Sequence, residues 1–345
     1  MKVAIVHYWL VNMRGGEKVL EALLDLFPEA DIYTHVYLPQ AVSEKIRSHR
    51  VFTTRISRLP FAAKFYQKYM PLMPDALKEL DLSDYDLIIS SESGPAKGVV
   101  PNPDAFHLCY CHSPMRYLWD MYHEYFRTAS GFVRFFMKKL VPSLRLWDVM
   151  SANLVDCFVA NSHYVAKRIN RYYNRPAEIV YPPVAIEKFS AVQRNPKDYY
   201  LFFGQLVGYK RADLALEACV RSGRKLVVVG EGGSAKERRK YEASGLVTFA
   251  GRVGHRQLEE YLAGARALLF PGVEDFGIIP VEANAAGCPV IAYRKGGALD
   301  SIKEGVTGIF FDQQTADSLI GAMEQFSQAA FAAKIQKLVE EHRRR

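Results

Sequence analysis

Ala267-Leu268-Leu269-Phe270-Pro271-Gly272-Val273-Glu274-Asp275-Phe276-Gly277-Ile278-Ile279-Pro280-Val281-Glu282-Ala283-Asn284-Ala285-Ala286-Gly287-Cys288-Pro289-Val290-Ile291-Ala292 reads as strand, turn, helix and strand in succession. Ala267 to Phe270 is the apolar run of a short buried strand. Ile279 to Ala286 is a helix whose small residues permit close packing, and Pro289 to Ala292 is the next strand. The same alternation extends outward. Further strands are expected at Tyr200 to Phe203, Lys225 to Val229, Val247 to Phe249 and Gly308 to Phe311. In the first half they are expected at Val3 to His7, Ile32 to Val36, Leu87 to Ser90, Phe106 to Cys111 and Cys157 to Ala160, with helical patterns between them. Such alternation makes parallel sheets, so the expected class is α/β, with two Rossmann-like doubly wound domains facing across a cleft. Pro182, Pro183 and Pro196 mark 182–198 as an interdomain linker. Residues 1–181 and 199–325 are then the two domains, and 326–345 is a basic C-terminal helix placed to pack back on the first.

With 345 residues, 49% of them hydrophobic, the chain is long enough for two full cores. Its 45 Lys and Arg against 37 Asp and Glu leave a formal charge of +8, which points to an anionic partner. Nucleic acid, a phosphorylated ligand and a membrane surface all qualify, but no RRM, KH or helix-turn-helix signature accompanies the basic residues, so nucleic acid is not expected. Cys109, Cys111, Cys157, Cys219 and Cys288 sit in apolar stretches without a C-x-x-C pair and read as buried thiols in a reducing compartment. His107, Cys109 and Cys111 share a strand face with His112 adjacent, a zinc-like grouping that core packing explains better. Asp84-Tyr85-Asp86 has the form of a metal-holding pair but precedes its strand, away from the strand ends where ligands bind, so no cofactor and no essential metal are expected. No uncharged apolar run approaches the ~20 residues that cross a bilayer. The first apolar segment is also too short for a secretory leader, and a cytoplasmic chain is expected.

Glu274 falls at a strand end and Glu282 about one turn into the following helix, so both carboxyls can face a ligand over the helix start. The amides of Gly277 and Ile278 point outward there. A diphosphate flanked by two polyols fits that layout, with amides and helix dipole on the phosphates and carboxylates on sugar hydroxyls. After the strand Tyr200 to Phe203, the turn Gly204-Gln205-Leu206-Val207-Gly208-Tyr209-Lys210-Arg211 puts two cations where a departing nucleoside diphosphate needs positive charge. In the first domain, Asn12-Met13-Arg14-Gly15-Gly16-Glu17 leads into a helix beginning near Glu17. Gly15 and Gly16 allow close approach to an oxyanion, and a plain tight turn explains them equally well.

The whole string Glu274 to Glu282, with Phe276-Gly277 after the first acid and Gly287-Cys288-Pro289-Val290-Ile291-Ala292 beyond, resembles the E-x7-E signature of retaining glycosyltransferase family 4. The order and spacing of Gly15-Gly16-Glu17, Asn161-Ser162, Gly204 to Lys210, Gly230-Glu231-Gly232 and Gly296-Gly297 are similar to that family, whose fold is GT-B. Tyr110-Cys111-His112-Ser113-Pro114-Met115-Arg116-Tyr117-Leu118-Trp119-Asp120 is similar to bacterial mannosyltransferases that build O-antigen, capsule or exopolysaccharide. The resemblance implies retaining transfer of mannose from GDP-mannose to a polyprenyl-diphosphate-linked or other glycan. It implies that Lys210 contacts the diphosphate, Gly277 and Ile278 the phosphates, Glu274 the donor sugar and Glu282 the ribose. His112 would sit beside the sugar, and Gly15, Gly16, Gly204, Gln205 and Arg211 complete the donor side. Many members carry arginine where this chain has Gln205, so neutralisation of the diphosphate falls to Lys210 and Arg211. A UDP- or ADP-sugar donor is the alternative within the same chemistry, and a catalytically inactive nucleotide-binding protein is the alternative outside it.

Residues 125–147 carry Arg127, Arg134, Lys138, Lys139 and Arg145 among Phe126, Phe132, Phe135, Phe136 and Trp147, with no acid. That composition suits an amphipathic segment on anionic lipid, and 53–73, with Arg55, Arg58, Lys64 and Lys68 beside Phe61, Phe65, Tyr66 and Tyr69, is similar. Ordinary helices with charges outward explain both equally. Arg116, Arg134, Lys138 and Lys139 are the expected acceptor or membrane contacts of a protein peripheral to the inner face of the cytoplasmic membrane.

Overall fold

The computed structural model describes residues 1–326 together with Phe331, Lys334, Ile335, Lys337 and Leu338. The chain divides into two compact units, Met1–Pro183 and Val184–Arg345.

The first unit holds a seven-stranded sheet of β1 (Val3–His7), β2 (Asp31–Thr34), β3 (Val51–Thr53), β4 (Leu87–Glu92), β5 (Phe106–Cys111), β6 (Cys157–Ala160) and β7 (Glu178–Ile179), in the order β3-β2-β1-β4-β5-β6-β7. Every neighbouring pair is parallel. All of β1 is buried, as a parallel strand covered on both faces must be, and its sequence is accordingly an unbroken apolar run up to His7. The strand order reverses between β1 and β4, and His7 at the end of β1 is the register partner of Ser91, one residue before the end of β4. A reversal of this kind opens a crevice beyond the strand ends.

Three helices position the site of this unit: α1 (Gly15–Leu26), α2 (Gly131–Ser151) and α3 (His163–Tyr173). α1 starts at Gly15 rather than near Glu17, because the Glu17 carboxylate reaches back to accept the Arg14 backbone N–H at 2.8 Å and so caps the first turn. α2 is amphipathic only in its second half, where Val141, Leu144, Asp148 and Ser151 point inward; no residue from Gly131 to Leu140 is buried. The segment 53–73 is not one amphipathic helix. It is broken into short turns at Arg55–Arg58, Ala62–Phe65 and Tyr66–Leu72, with Pro60 and Pro71 interrupting any longer run.

The second unit holds β8 (Tyr200–Phe203), β9 (Leu226–Val229), β10 (Val247–Gly251), β11 (Leu268–Phe270), β12 (Val290–Tyr293) and β13 (Gly308–Phe311), all parallel, in the order β10-β9-β8-β11-β12-β13. Here the order reverses between β8 and β11. The helices that matter are α4 (Ala212–Arg221) after β8 and α5 (Ile278–Ala285) after β11. The stretch read as linker is docked on this unit from Val184 onward. Phe189 is buried in its core with Leu258 and Leu262, and the amides of Asn195 and Lys197 donate to Ala263 O and Gly264 O at 3.1 and 2.7 Å. Of the expected C-terminal helix, Phe331 and Ile335 are buried in the second unit's core beside Leu319 and Phe326; apart from these and Lys334, Lys337 and Leu338, residues 327–345, including Arg343 to Arg345, lie outside the described residues.

Candidate active site

In the second unit, the turn Gly208–Lys210 brings Lys210 back across Gly204, and its Nζ lies 2.8 Å from Glu274 Oε1, with only 13% and 19% of the two side chains exposed. The loop bearing Glu274 is held on two sides. Its carbonyl accepts the Gly297 N–H at 2.8 Å, and the Val273 N–H donates to Tyr209 O at 3.3 Å, joining this loop to the Lys210 turn. Gly277 then takes φ +88°, a left-handed conformation that favours glycine, and α5 begins. The amides of its first turn, Ile278 among them, have no intrahelical acceptor and stand at the positive end of the helix dipole. Glu282 lies half-buried within α5, and burial pushes its carboxyl up to about 7, so it changes charge near neutral pH.

Arg211 behaves differently from its neighbour. Its guanidinium is engaged by Asp213, with Nε and Nη2 each 3.0 Å from a carboxylate oxygen, so only Lys210 of the cation pair meets Glu274. Gln205 is exposed in the turn. The second sheet's switch point therefore gathers Gly204, Lys210 and Glu274, with Gly277 and Ile278 opening the adjoining helix.

In the first unit, His112 follows β5. Its N–H donates to Glu92 O at 2.8 Å, its carbonyl accepts Asn161 Nδ2 at 3.0 Å, and its Nε2 lies 2.8 Å from Ser91 Oγ. The rings of Tyr8 and Tyr110 meet it edge-on. The motif beyond His112 is clamped by Arg168 of α3, which donates to Ser113 Oγ and Pro114 O at 2.8 Å each and to Asp120 Oδ1 at 2.6 Å. Beneath it lies a fully buried cluster: Lys97 Nζ pairs with Glu92 Oε1 at 3.0 Å and with Asp148 Oδ1, while Asp148 Oδ2 accepts from Trp119 Nε1 at 2.7 Å and Tyr173 OH at 2.9 Å.

The remaining expected residues scatter. Gly15 opens α1, and Gly16 backs onto Tyr8, whose hydroxyl would lie 2.3 Å from a Cβ there. Arg116 is half-buried within the motif loop and donates to Met121 Sδ at 3.3 Å. Arg134, Lys138 and Lys139 stand on the exposed half of α2; Lys138 lies over the Phe126 ring and Lys139 over the Phe135 ring. Phe132 is 75% exposed and Phe135 54%. His107 is held by Ser90 Oγ and Leu154 O, with burial pushing its imidazole down to about 4, while Cys109 and Cys111 pack into the core between β5 and α3. Asp84 and Asp86 precede β4 and pair with the side chain and the amide of Lys2. Glu17, His7, Ser91, Arg168, Lys97 and Asp148 carried no assigned role in the sequence, although Glu17 stands in the quoted Gly15-Gly16-Glu17 string.

Residues 13–188 match the family model described as Glycosyltransferase Family 4, and residues 185–345 match that described as Glycosyl transferases group 1. Glycogen synthase of Pseudomonas syringae pv. syringae is 26% identical over 189 residues, covering 52% of this chain and 36% of the synthase. A GDP-mannose-dependent alpha-mannosyltransferase of Corynebacterium glutamicum is 34% identical over 112 residues, 32% of this chain and 27% of that enzyme. Both matches span well under half of the relative's own length. Among solved structures, HepE from Anabaena in complex with UDP shares the fold with a TM-score of 0.67 at 16% identity, over 99% of this chain and 95% of that one. Two parallel-sheet units of GT-B type, with the first family model spanning more than half of the sequence, place the chain in glycosyltransferase family 4.

Proposed function

We propose that the chain is a retaining α-mannosyltransferase that moves mannose from GDP-mannose to a hydroxyl of a lipid-linked glycan in the synthesis of a bacterial surface polysaccharide. The observation that carries the reading is the pairing of Lys210 with Glu274 beside the start of α5. An ammonium and first-turn amides stabilise a departing diphosphate, and a carboxylate beside them accepts hydrogen bonds from sugar hydroxyls. In this reading Glu282 holds the ribose and His112 serves the transferred sugar. The acceptor hydroxyl attacks the anomeric carbon as the bond from that carbon to the diphosphate oxygen breaks. GDP leaves with the electron pair, and the leaving phosphate takes the acceptor proton, so no protein nucleophile is needed. Mannose as the sugar is supported by the Tyr110 to Asp120 motif and by the mannosyltransferase among the relatives. The UDP in the HepE complex and the glycogen synthase match favour the second reading, another nucleotide sugar on the same residues.

Incubating the protein with GDP-mannose and with UDP- and ADP-sugars, together with a membrane extract, is expected to release GDP alone and add one hexose to a lipid-linked product. The reaction is expected to survive EDTA, since the Asp84 and Asp86 pair is spent on Lys2. Release of UDP or ADP without GDP would overturn the donor, and loss of turnover in EDTA the metal independence.

A peripheral position on the inner face of the cytoplasmic membrane is part of the proposal. It is supported by the exposed Phe132, Val133, Phe135 and Phe136 interleaved with Arg134, Lys138 and Lys139. No helix among the described residues is long and apolar enough to cross a membrane. The protein is expected to co-sediment with phosphatidylglycerol vesicles at low salt and much less with phosphatidylcholine. Changing Phe132, Phe135 and Phe136 together to serine should lower partitioning by roughly tenfold or more. Partitioning that ignores both lipid charge and these substitutions would refute lipid contact by this face.

A further inference from the structure

At the switch point of the first sheet, Glu17, His7, Ser91 and His112 form a line. His7 Nδ1 is 2.9 Å from Ser91 Oγ, and Ser91 Oγ is 2.8 Å from His112 Nε2; the other ring nitrogen of His7 has no hydrogen-bond partner among the described residues and stands 3.8 Å from Glu17 Oε1, close enough to feel its charge but not to bond to it. His7, Ser91 and Glu17 are all buried, where a polar group is costly unless it is paired. Glu17 is nevertheless held below the usual carboxylate range: burial acts to raise it, and His7 together with the amides of the helix start outweighs burial. A serine hydroxyl has one proton to give, so between two imidazoles it donates to one and accepts from the other. An ionised Glu17 draws the His7 proton to Nε2. His7 Nδ1 then accepts from Ser91, and Ser91 Oγ accepts from His112.

We propose that Glu17, His7 and Ser91 are positioning residues that fix the tautomer of His112, with its proton on Nε2, and through it the place His112 takes beside the transferred sugar. The sugar part of this proposal rests on the reading of His112 beside the transferred hexose, whereas the order of protons along the line does not. Arg14, Tyr8, Tyr66 and Tyr110 are among the charged or titratable groups around the line.

Nitrogen NMR of the intact, 15N-histidine-labelled protein at neutral pH reads the tautomers directly. His112 is expected as the Nε2–H form in the wild type. Glu17→Gln removes the charge that holds the His7 proton on Nε2, which lets the donors along the line reverse and the His112 proton move to Nδ1. In transfer assays Glu17→Gln and Ser91→Ala are each expected to lower kcat roughly 10- to 100-fold with the donor KM within about twofold. Neither should cost anything further in a His112→Ala background. A wild-type His112 protonated on Nδ1, or a tautomer unmoved by Glu17→Gln, overturns the relay. So do losses that add fully to that of His112→Ala, which would mark a merely structural role. A reversed tautomer with undiminished transfer upholds the relay and overturns instead the place of His112 at the sugar.

Discussion

Lys210→Met is expected to lower kcat/KM for transfer by roughly 100- to 1,000-fold, about 3–4 kcal/mol of transition-state stabilisation, and Glu274→Gln by a comparable factor. The two side chains face each other at 2.8 Å and are mostly shielded from water, so the field of the ammonium is little screened where charge develops on the leaving diphosphate. Arg211 cannot take over, because its guanidinium is already engaged by Asp213. Gln205, where many family members carry arginine, brings no charge. In the proposed reading a single cation then carries the neutralisation that would otherwise be shared, which is why one substitution should cost so much. Neither side chain is fully buried, so the charge left behind can still reach water, and breaking the pair should destabilise the fold by only roughly 1 kcal/mol. The double variant should lose less than the product of the two single losses, since both act through one pair. Steady-state kinetics on the three variants, with melting curves beside them, check this; near wild-type turnover in Lys210→Met would remove the site from the second sheet's switch point.

The strands that reversed order around the two switch points were legible because each is a buried parallel strand, and burial on both faces writes an unbroken apolar run. Val3 to His7, Phe106 to Cys111, Cys157 to Ala160, Tyr200 to Phe203 and Gly308 to Phe311 stand where the sequence put them. The strands that escaped are β3 and β7, both at sheet edges. Val51-Phe52-Thr53 is half-exposed and Glu178-Ile179 is only two residues long, so neither carries an apolar run to read. Glu274, Glu282 and Lys210 could be picked out because turn, helix start and charge are adjacent in sequence. Glu17, His7, Ser91 and His112 come together only through the register of β1 on β4 and of β4 on β5, which no local pattern encodes. A lone buried serine or histidine leaves no periodic trace. The segment 53–73 folds as short turns rather than one helix because Pro60 and Pro71 interrupt it, yet Ile56, Ala62 and Met73 still turn into a buried cluster.

Lys97→Met should be the most destabilising single change in the first unit, by about 3–5 kcal/mol, because it strands two carboxylates in a dry interior. Glu92, Lys97 and Asp148 are each 0% exposed. Burial by itself would depress the Lys97 ammonium, yet Asp148 and Glu92 raise it well above the ordinary lysine value, so it is charged at every working pH. Glu92 Oε2 also accepts the amides of Ala96 and Lys97 at 2.8 and 2.7 Å, and Asp148 holds Trp119 and Tyr173, so the cluster ties the end of β4 to α2, α3 and the motif loop. At roughly 2–4 °C per kcal/mol for a unit of this size, the melting temperature should fall by on the order of 10 °C. Adding Glu92→Gln and Asp148→Asn to Lys97→Met should recover part of the loss, because the orphaned charges are what destabilise and neutral amides remove them. Activity should fall too: the Glu92 carbonyl accepts the His112 N–H, so the end of β4 cannot relax without moving His112. Calorimetric melting of the wild type, the single and the triple variant decides the matter. A Lys97→Met protein that melts within a degree or two of the wild type would mean that water reaches the cluster and that it does not anchor the motif loop.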